Sequence, residues 1–93
     1  MPYQVQLTET VSHLLANFHP ELKKRTKKAL TEISRNPYLG KELQEDLNGY
    51  LSYRFKRYRV IYTVEEEAKT AIVHLVWHRR DVYELFAKLT SSL

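Results

Sequence analysis

Four cations crowd between positions 54 and 59 of this chain: Arg54, Lys56, Arg57 and Arg59, inside the run LSYRFKRYRVIYTV from Leu51 to Val64. A guanidinium can offer a phosphate two parallel hydrogen bonds, and an ammonium adds a point charge. On a rigid element such a cluster can hold a polyanion or steady the charge that develops in a transition state. The same pattern also fits a solvated sheet face. The chain has no cysteine, which removes disulfides, thiolate catalysis and cysteine metal sites. His74 and His78 are four residues apart on a strand pattern, with no carboxylates placed to complete a site, so neither a metal nor another cofactor is expected. His74 lies mid-strand among apolar neighbours and reads as packing, as does Trp77. His13 and His19 belong to helical segments and carry no evident chemistry.

Positioning the cations requires a stiff scaffold, and the periodicity supplies one. Leu51, Tyr53 and Phe55 alternate with polar residues, as do Val60, Tyr62 and Val64, which is the period of half-buried strands. The two runs should pair as an antiparallel hairpin, with Lys56, Arg57 and Tyr58 as a short basic turn although no Asn-Gly or Asp-Gly marks it. Ser52, Arg54 and Lys56 then share the face opposite Tyr53 and Phe55. Upstream, Tyr3, Val5 and Leu7 alternate as a short strand with its odd positions on the core. Thr8 can cap a helix carrying Val11, Leu14, Leu15 and Phe18 on one face. Pro20 suits the first turn of a second helix, Pro20 to Arg35, whose stripe is Leu22, Ala29, Leu30 and Ile33. Its lysine run from Lys23 to Lys28 reads as a solvated face that is also suited to sequence-independent phosphate contacts.

Asn36 to Gly49 reads as a connection: Asn36-Pro37 stops the helix, Gly40 allows a turn, and Leu39, Leu43 and Leu47 pin the loop to the core. Ala71 to His78 is a third long strand, expected to alternate Ala71, Val73, Leu75 and Trp77 against Ile72, His74, Val76 and His78. Both faces are substantially apolar, which suits a central strand. Asp81 with Glu84 resembles a capping box ahead of a helix with Val82, Leu85, Phe86 and Leu89 as its stripe. The expected class is α+β: a small, mostly antiparallel sheet in the order β-α-α-β-β-β-α, with the two N-terminal helices packed on one side.

Length and composition agree with one domain over 1–93. Ninety-three residues suffice for one small core, and 43% hydrophobic content with two glycines and three prolines gives no sign of disorder. The formal charge of +4 suits an acidic partner, whether nucleic acid, protein or anionic surface. No secretory pattern opens the chain, and no apolar stretch approaches the roughly 20 residues that span a membrane. A cytoplasmic protein without a membrane association is the expectation.

The run GYLSYRFKRYRVIY, the strand ending near VHLVWHRRDVYE and the two leading helices together resemble the RelE/ParE superfamily of toxins from bacterial toxin-antitoxin systems. The most specific parts are Tyr58-Arg59 leading into Val60-Ile61-Tyr62, and the block from His78 to Tyr83. The resemblance spans essentially the whole chain and implies one of two activities. RelE-like members are endoribonucleases that cut mRNA in the ribosomal A site, whereas ParE-like members block DNA gyrase and cleave nothing. A catalytically weakened member is a third possibility. All are neutralised by a cognate antitoxin, so a toxin-antitoxin hetero-oligomer is implied, with mRNA and the ribosome as partners on the RelE-like reading.

Ribonuclease chemistry of that kind is attack of a ribose 2'-OH on the adjacent phosphate. It needs a proton acceptor, cations on the phosphorane and a proton donor for the leaving oxygen. The resemblance implies Arg59 as the holder of the scissile phosphate and Arg54 as a second cation, with Lys56 and Arg57 available to the RNA backbone. For the acid it offers His78, Arg79 and Tyr83. A histidine's ordinary pKa, about 6.5, suits proton transfer at neutral pH, so His78 ranks ahead of Arg79, which takes a phosphate-binding role. The base departs from the family pattern. Two lysines of the ribosome-dependent prototype fall at Tyr50 and Ser52, neither a cation. The glutamate of another branch falls near Lys41-Glu42. Glu42 is then the candidate base, with Lys56 the alternative if the hairpin turn folds back.

Overall fold

The computed structural model describes residues 2–91. A five-stranded sheet of order β1-β5-β4-β3-β2 is its backbone. In chain order the elements are β1 (Gln4–Leu7), α1 (Glu9–Ala16), α2 (Pro20–Arg35), β2 (Lys41–Glu42), β3 (Leu51–Phe55), β4 (Tyr58–Glu65), β5 (Thr70–His78) and α3 (Val82–Ser91). Strands β2 to β5 run antiparallel, while β1 pairs in parallel with the first half of β5. The class and the placement of the two leading helices follow the expectation. β2 is an addition, because two residues are too few to show an alternation.

Local chemistry accounts for the helix boundaries. Thr8 caps α1, its Oγ1 accepting from the Val11 N–H at 3.2 Å. His19 Nδ1 accepts from the Glu21 N–H at 3.3 Å, and Pro20 follows as the first residue of α2. Asn36 ends α2, and its side chain then caps a turn of 3-10 helix at Pro37–Leu39. In α2 Thr26 joins the buried stripe, its hydroxyl donating to the Leu22 carbonyl at 2.8 Å and so meeting its own hydrogen-bonding need.

Two apolar layers flank the sheet. Under α1 and α2 lie Leu51, Val60, Tyr62, Ala71, Val73 and Val76, joined by Val11, Ala29 and Ile33 from the helices. On the opposite side Ile61 and Leu75 pack with Val82 and Phe86 of α3, together with Leu43, Leu47 and Tyr50. The helix α1 also contributes Leu14 to this second layer, and it packs on β5, which β1 accompanies only as far as Val73.

The faces of β5 differ from the expected alternation. Ile61 pairs with Leu75 but Tyr62 pairs with Val73, so His74 is an extra residue in β5. A bulge of this kind flips every later side chain. Val76 therefore follows Val73 under the helices, whereas Leu75 and Trp77 join the α3 layer. His74 and His78 do not share a face.

Four other expectations are corrected. Tyr58 is not in the turn: it pairs with Phe55 and with His78, and the turn is Lys56-Arg57 alone. Leu39 does not pin the loop and is 51% exposed, and Leu7 at the end of β1 is 38% exposed. Gly40 makes no left-handed turn, since its φ is −71°. It is required instead by proximity. A Cβ there would lie 2.5 Å from the Tyr62 hydroxyl, which accepts from the Gly40 N–H and donates to the Pro37 carbonyl at 2.6 Å. Burial pushes the Tyr62 phenol upward, the Gly40 N–H partly opposing it. Gly49 is the glycine that needs positive φ, at 96°.

Candidate functional site

The hairpin of β3 and β4 presents its cations in register. Arg54 stands directly opposite Arg59, and Arg59 is in turn opposite Trp77 of β5. Residues paired across antiparallel strands point to the same side of the sheet. Ser52, two residues before Arg54, shares that side, and the Ser52 Oγ lies 3.0 Å from the Tyr83 hydroxyl. One side of the sheet, beside α3, therefore carries Ser52, Arg54, Arg59 and Tyr83. Tyr83 occupies the first turn of α3 and is brought over the sheet because its neighbours Val82 and Phe86 are buried against Ile61 and Leu75.

Like charges opposite one another repel, so the Arg54–Arg59 pair costs stability unless something offsets it. Arg59 directs one guanidinium nitrogen to the Tyr58 carbonyl at 3.0 Å. Among the described residues none of Arg54, Lys56, Arg57, Arg59, Arg79 or Arg80 takes part in an ion pair; the pairs there are His13 with Glu9, Lys69 with Glu66 and Lys88 with Glu84. That end of the sheet thus carries clustered positive charge with no ion-pair partner among the described residues.

His78 lies at the same end of the sheet but on the side of α1 and α2. Its ring meets that of Tyr58 edge-on, centroids 5.6 Å apart, and its Nδ1 accepts from the Arg80 N–H at 3.3 Å. It lines a cleft of about 460 Å³ with Leu14, Phe18, Leu22, Tyr58 and Trp77. By strand pairing His78 leaves the sheet on the side opposite Arg59, while the cleft it lines reaches round the free edge of β5 to Trp77, the partner of Arg59. Arg79 is exposed in the turn beyond β5 and is anchored by its backbone, the N–H donating to the Arg57 carbonyl at 2.7 Å. Arg57 and Lys56 form the hairpin tip, with Lys56 in the left-handed region at φ 53°. Lys56 borders clefts against α2, next to Arg25, rather than folding back over Arg59.

The register of β2 turns Glu42, the expected base, away from the arginines. Glu42 pairs with Leu51 and so shares the α2 side, whereas Lys41 pairs with Ser52 and faces the arginines' side. Lys41 and Ser52 are thus the members of this face that the sequence reading did not single out as functional. The alternation of Ser52 with Arg54 was a usable signal for one; no sequence signal sets the register of a two-residue strand. Tyr50, at the other lysine position of the prototype, is occupied structurally, its ring edge-on to His74 at 5.3 Å and to Phe86 at 4.9 Å. His74 completes that box with its Nε2 2.9 Å from the Thr63 hydroxyl, and burial depresses its pKa. Among the described residues no cluster of histidine, aspartate and glutamate is suited to a metal, and no helix is long and apolar enough to cross a membrane.

Comparison with known proteins agrees with this architecture. The family model described as ParE toxin of type II toxin-antitoxin system, parDE, matches residues 3–83. Toxin RelG of Mycobacterium tuberculosis is 34% identical over 85 residues, covering 89% of this chain and 98% of that protein. Among solved structures, a chain of the toxin-antitoxin complex RelBE2 from Mycobacterium tuberculosis superposes with a TM-score of 0.79 at 31% identity, over 85% of this chain and 93% of that one. An E. coli toxin RelE variant in the free state shares the fold, with a TM-score of 0.77 at 17% identity over 100% and 99% of the two chains. With a family match over most of its length and relatives above 30% identity, the chain belongs to the RelE/ParE superfamily, in the RelE-like branch, as a toxin of a type II toxin-antitoxin system.

Proposed function

We propose that this toxin is an endoribonuclease that cuts mRNA, acting on the ribosome, and that a cognate antitoxin neutralises it in a hetero-oligomeric complex in the cytoplasm. The observation that carries the reading is the Arg54–Arg59 pair, free of ion pairing and on the same side of the sheet as the Tyr83 hydroxyl. In the reaction a ribose 2'-oxygen forms a bond to the adjacent phosphorus while the bond from phosphorus to the 5'-oxygen breaks. Arg59, assisted by Arg54, holds the phosphate and offsets the added charge of the phosphorane. Lys56, Arg57 and Arg79 contact the flanking backbone. Two groups on the arginines' side can exchange protons. Tyr83 delivers one to the leaving 5'-oxygen, and Lys41, on the same side, is the candidate acceptor for the proton of the 2'-OH. Glu42 and His78 lie on the other side of the sheet and take no part in these transfers. The antitoxin partner is supported by the RelBE2 relative, which was solved as a toxin-antitoxin complex.

The test maps cuts in a reporter mRNA by primer extension during translation and again on naked RNA. The variants compared are Arg59→Ala, Tyr83→Phe and His78→Ala. Cuts that require ribosomes, vanish with Arg59→Ala and Tyr83→Phe, and persist with His78→Ala are expected. An absence of cuts from wild type, with growth arrested and gyrase supercoiling inhibited in vitro, would replace this reading with the gyrase-directed one.

A further inference from the structure

Ser52 is 6% exposed, and the partner its hydroxyl finds is the Tyr83 hydroxyl, at 3.0 Å. Tyr83 itself is 39% exposed, so its oxygen has no need of a protein partner for its own solvation. The bond joins residues 31 apart in sequence and is made on the side of the sheet that carries Arg54 and Arg59. Ser52 is held in the middle of β3, paired with Ile61 of β4, which makes it a fixed point for a tyrosine in the first turn of a short helix.

We propose that Ser52 is a positioning residue for the ribonuclease reaction: it holds the Tyr83 hydroxyl toward the scissile phosphate and donates to the phenolate that forms there. The inference rests on the reading of the protein as a ribonuclease. When Tyr83 gives its proton to the 5'-oxygen, the phenol O–H bond breaks and the oxygen becomes anionic. The Ser52 hydroxyl, free to rotate, then points its hydrogen at that oxygen. A bond that is stronger to the anion than to the neutral phenol assists the transition state more than the bound substrate.

The test is single-turnover cleavage of ribosome-bound mRNA by the full chain, with Ser52→Ala, Tyr83→Phe, the double variant and Arg59→Ala. Ser52→Ala should slow the cleavage step about tenfold, the size of one such hydrogen bond, and leave the RNA concentration at half-maximal rate unchanged. In the Tyr83→Phe background Ser52→Ala should have no further effect. Loss of cleavage in Arg59→Ala with Ser52→Ala like wild type overturns this inference and leaves the ribonuclease reading standing. So does a Ser52→Ala effect that persists undiminished in the Tyr83→Phe background, or a Tyr83→Phe variant that cuts normally. Wild-type protein that cuts no mRNA, with or without ribosomes, overturns both.

Discussion

The two ends of the sheet treat charge in opposite ways. At the end where β4 turns into β5, Glu66 accepts from the Tyr3 hydroxyl at 2.5 Å, from Lys69 at 2.6 Å and from the Tyr38 hydroxyl, and Lys69 lies over the Tyr3 ring. One carboxylate thereby ties together the segment before β1, the turn after α2 and the tip of the β4–β5 hairpin. Lys69, Tyr3 and Tyr38 hold the Glu66 carboxyl at about 2, and Glu66 in turn pushes the Tyr38 phenol upward. At the other end, where β3 turns into β4, Arg54, Lys56, Arg57, Arg59, Arg79 and Arg80 gather without an ion pair among the described residues. Charge that is paired locally serves the fold. Charge left unpaired and clustered on rigid strands repels itself, and a polyanion relieves that repulsion.

The sharpest way to break this comparison is to remove a cation from the unpaired end. Arg59→Ala should lower cleavage by about 10²–10³-fold, as does loss of one donor to a developing oxyanion. Its thermal midpoint should stay level or rise, because the repulsion from Arg54 is gone. A large fall in that midpoint, read by circular dichroism, would assign Arg59 to the fold instead. Next in size is Gly40→Ala, which forces a methyl group against the Tyr62 hydroxyl. It should cost about 1–3 kcal/mol in urea unfolding. Removing that hydroxyl as well, with Tyr62→Phe, relieves the clash but leaves the Pro37 carbonyl unpaired, so the double variant should lose less than the two single changes summed. Strict additivity would show that the two groups do not meet.

Smaller effects follow from pH. The pKa of His74 is lowered in the folded state, so the unfolded chain binds the extra proton first. Stability should therefore decline as pH falls below about 6.5 and level off once the folded protein is protonated too. His74→Gln should flatten that part of the profile, and an unchanged slope would place the titrating group elsewhere. For Glu66 the sign is the same and the window lies lower, its folded pKa being depressed from 4.5 to about 2. Its contribution is complete above the unfolded value and disappears as pH falls from 4.5 toward 2. Glu66→Gln should therefore lower the thermal midpoint slightly at pH 7 and not at all near pH 2. Salt and solvent screen this exposed cluster, which makes it the smallest of the effects. A difference that grew on acidification would contradict the assignment.

Much of the fold was legible in the chain because its signals are local. Thr8 and Pro20 mark helix starts whatever lies across the molecule, and the stripe of Leu22, Ala29, Leu30 and Ile33 reports a helix by its period alone. The cation cluster was equally visible, since Arg54 and Arg59 flank a turn that brings them together. The residues that depend on pairing were not visible. A single inserted residue, His74, reverses the faces of β5 beyond it and sends His78 to the side away from the arginines. The two-residue β2 decides that Lys41 rather than Glu42 faces them, and the docking of α3 decides that Tyr83 meets Ser52 across 31 residues of chain.

By itself the sequence determined which residue types are present, where the helices begin, and which stretches alternate as strands, because each of these is an interaction among near neighbours. Only the tertiary structure decided which of the candidate acids and bases share the side of the sheet that carries Arg59. Strand side chains reverse direction at every residue, so one bulge or one step of register exchanges the two sides of the sheet without altering any local propensity.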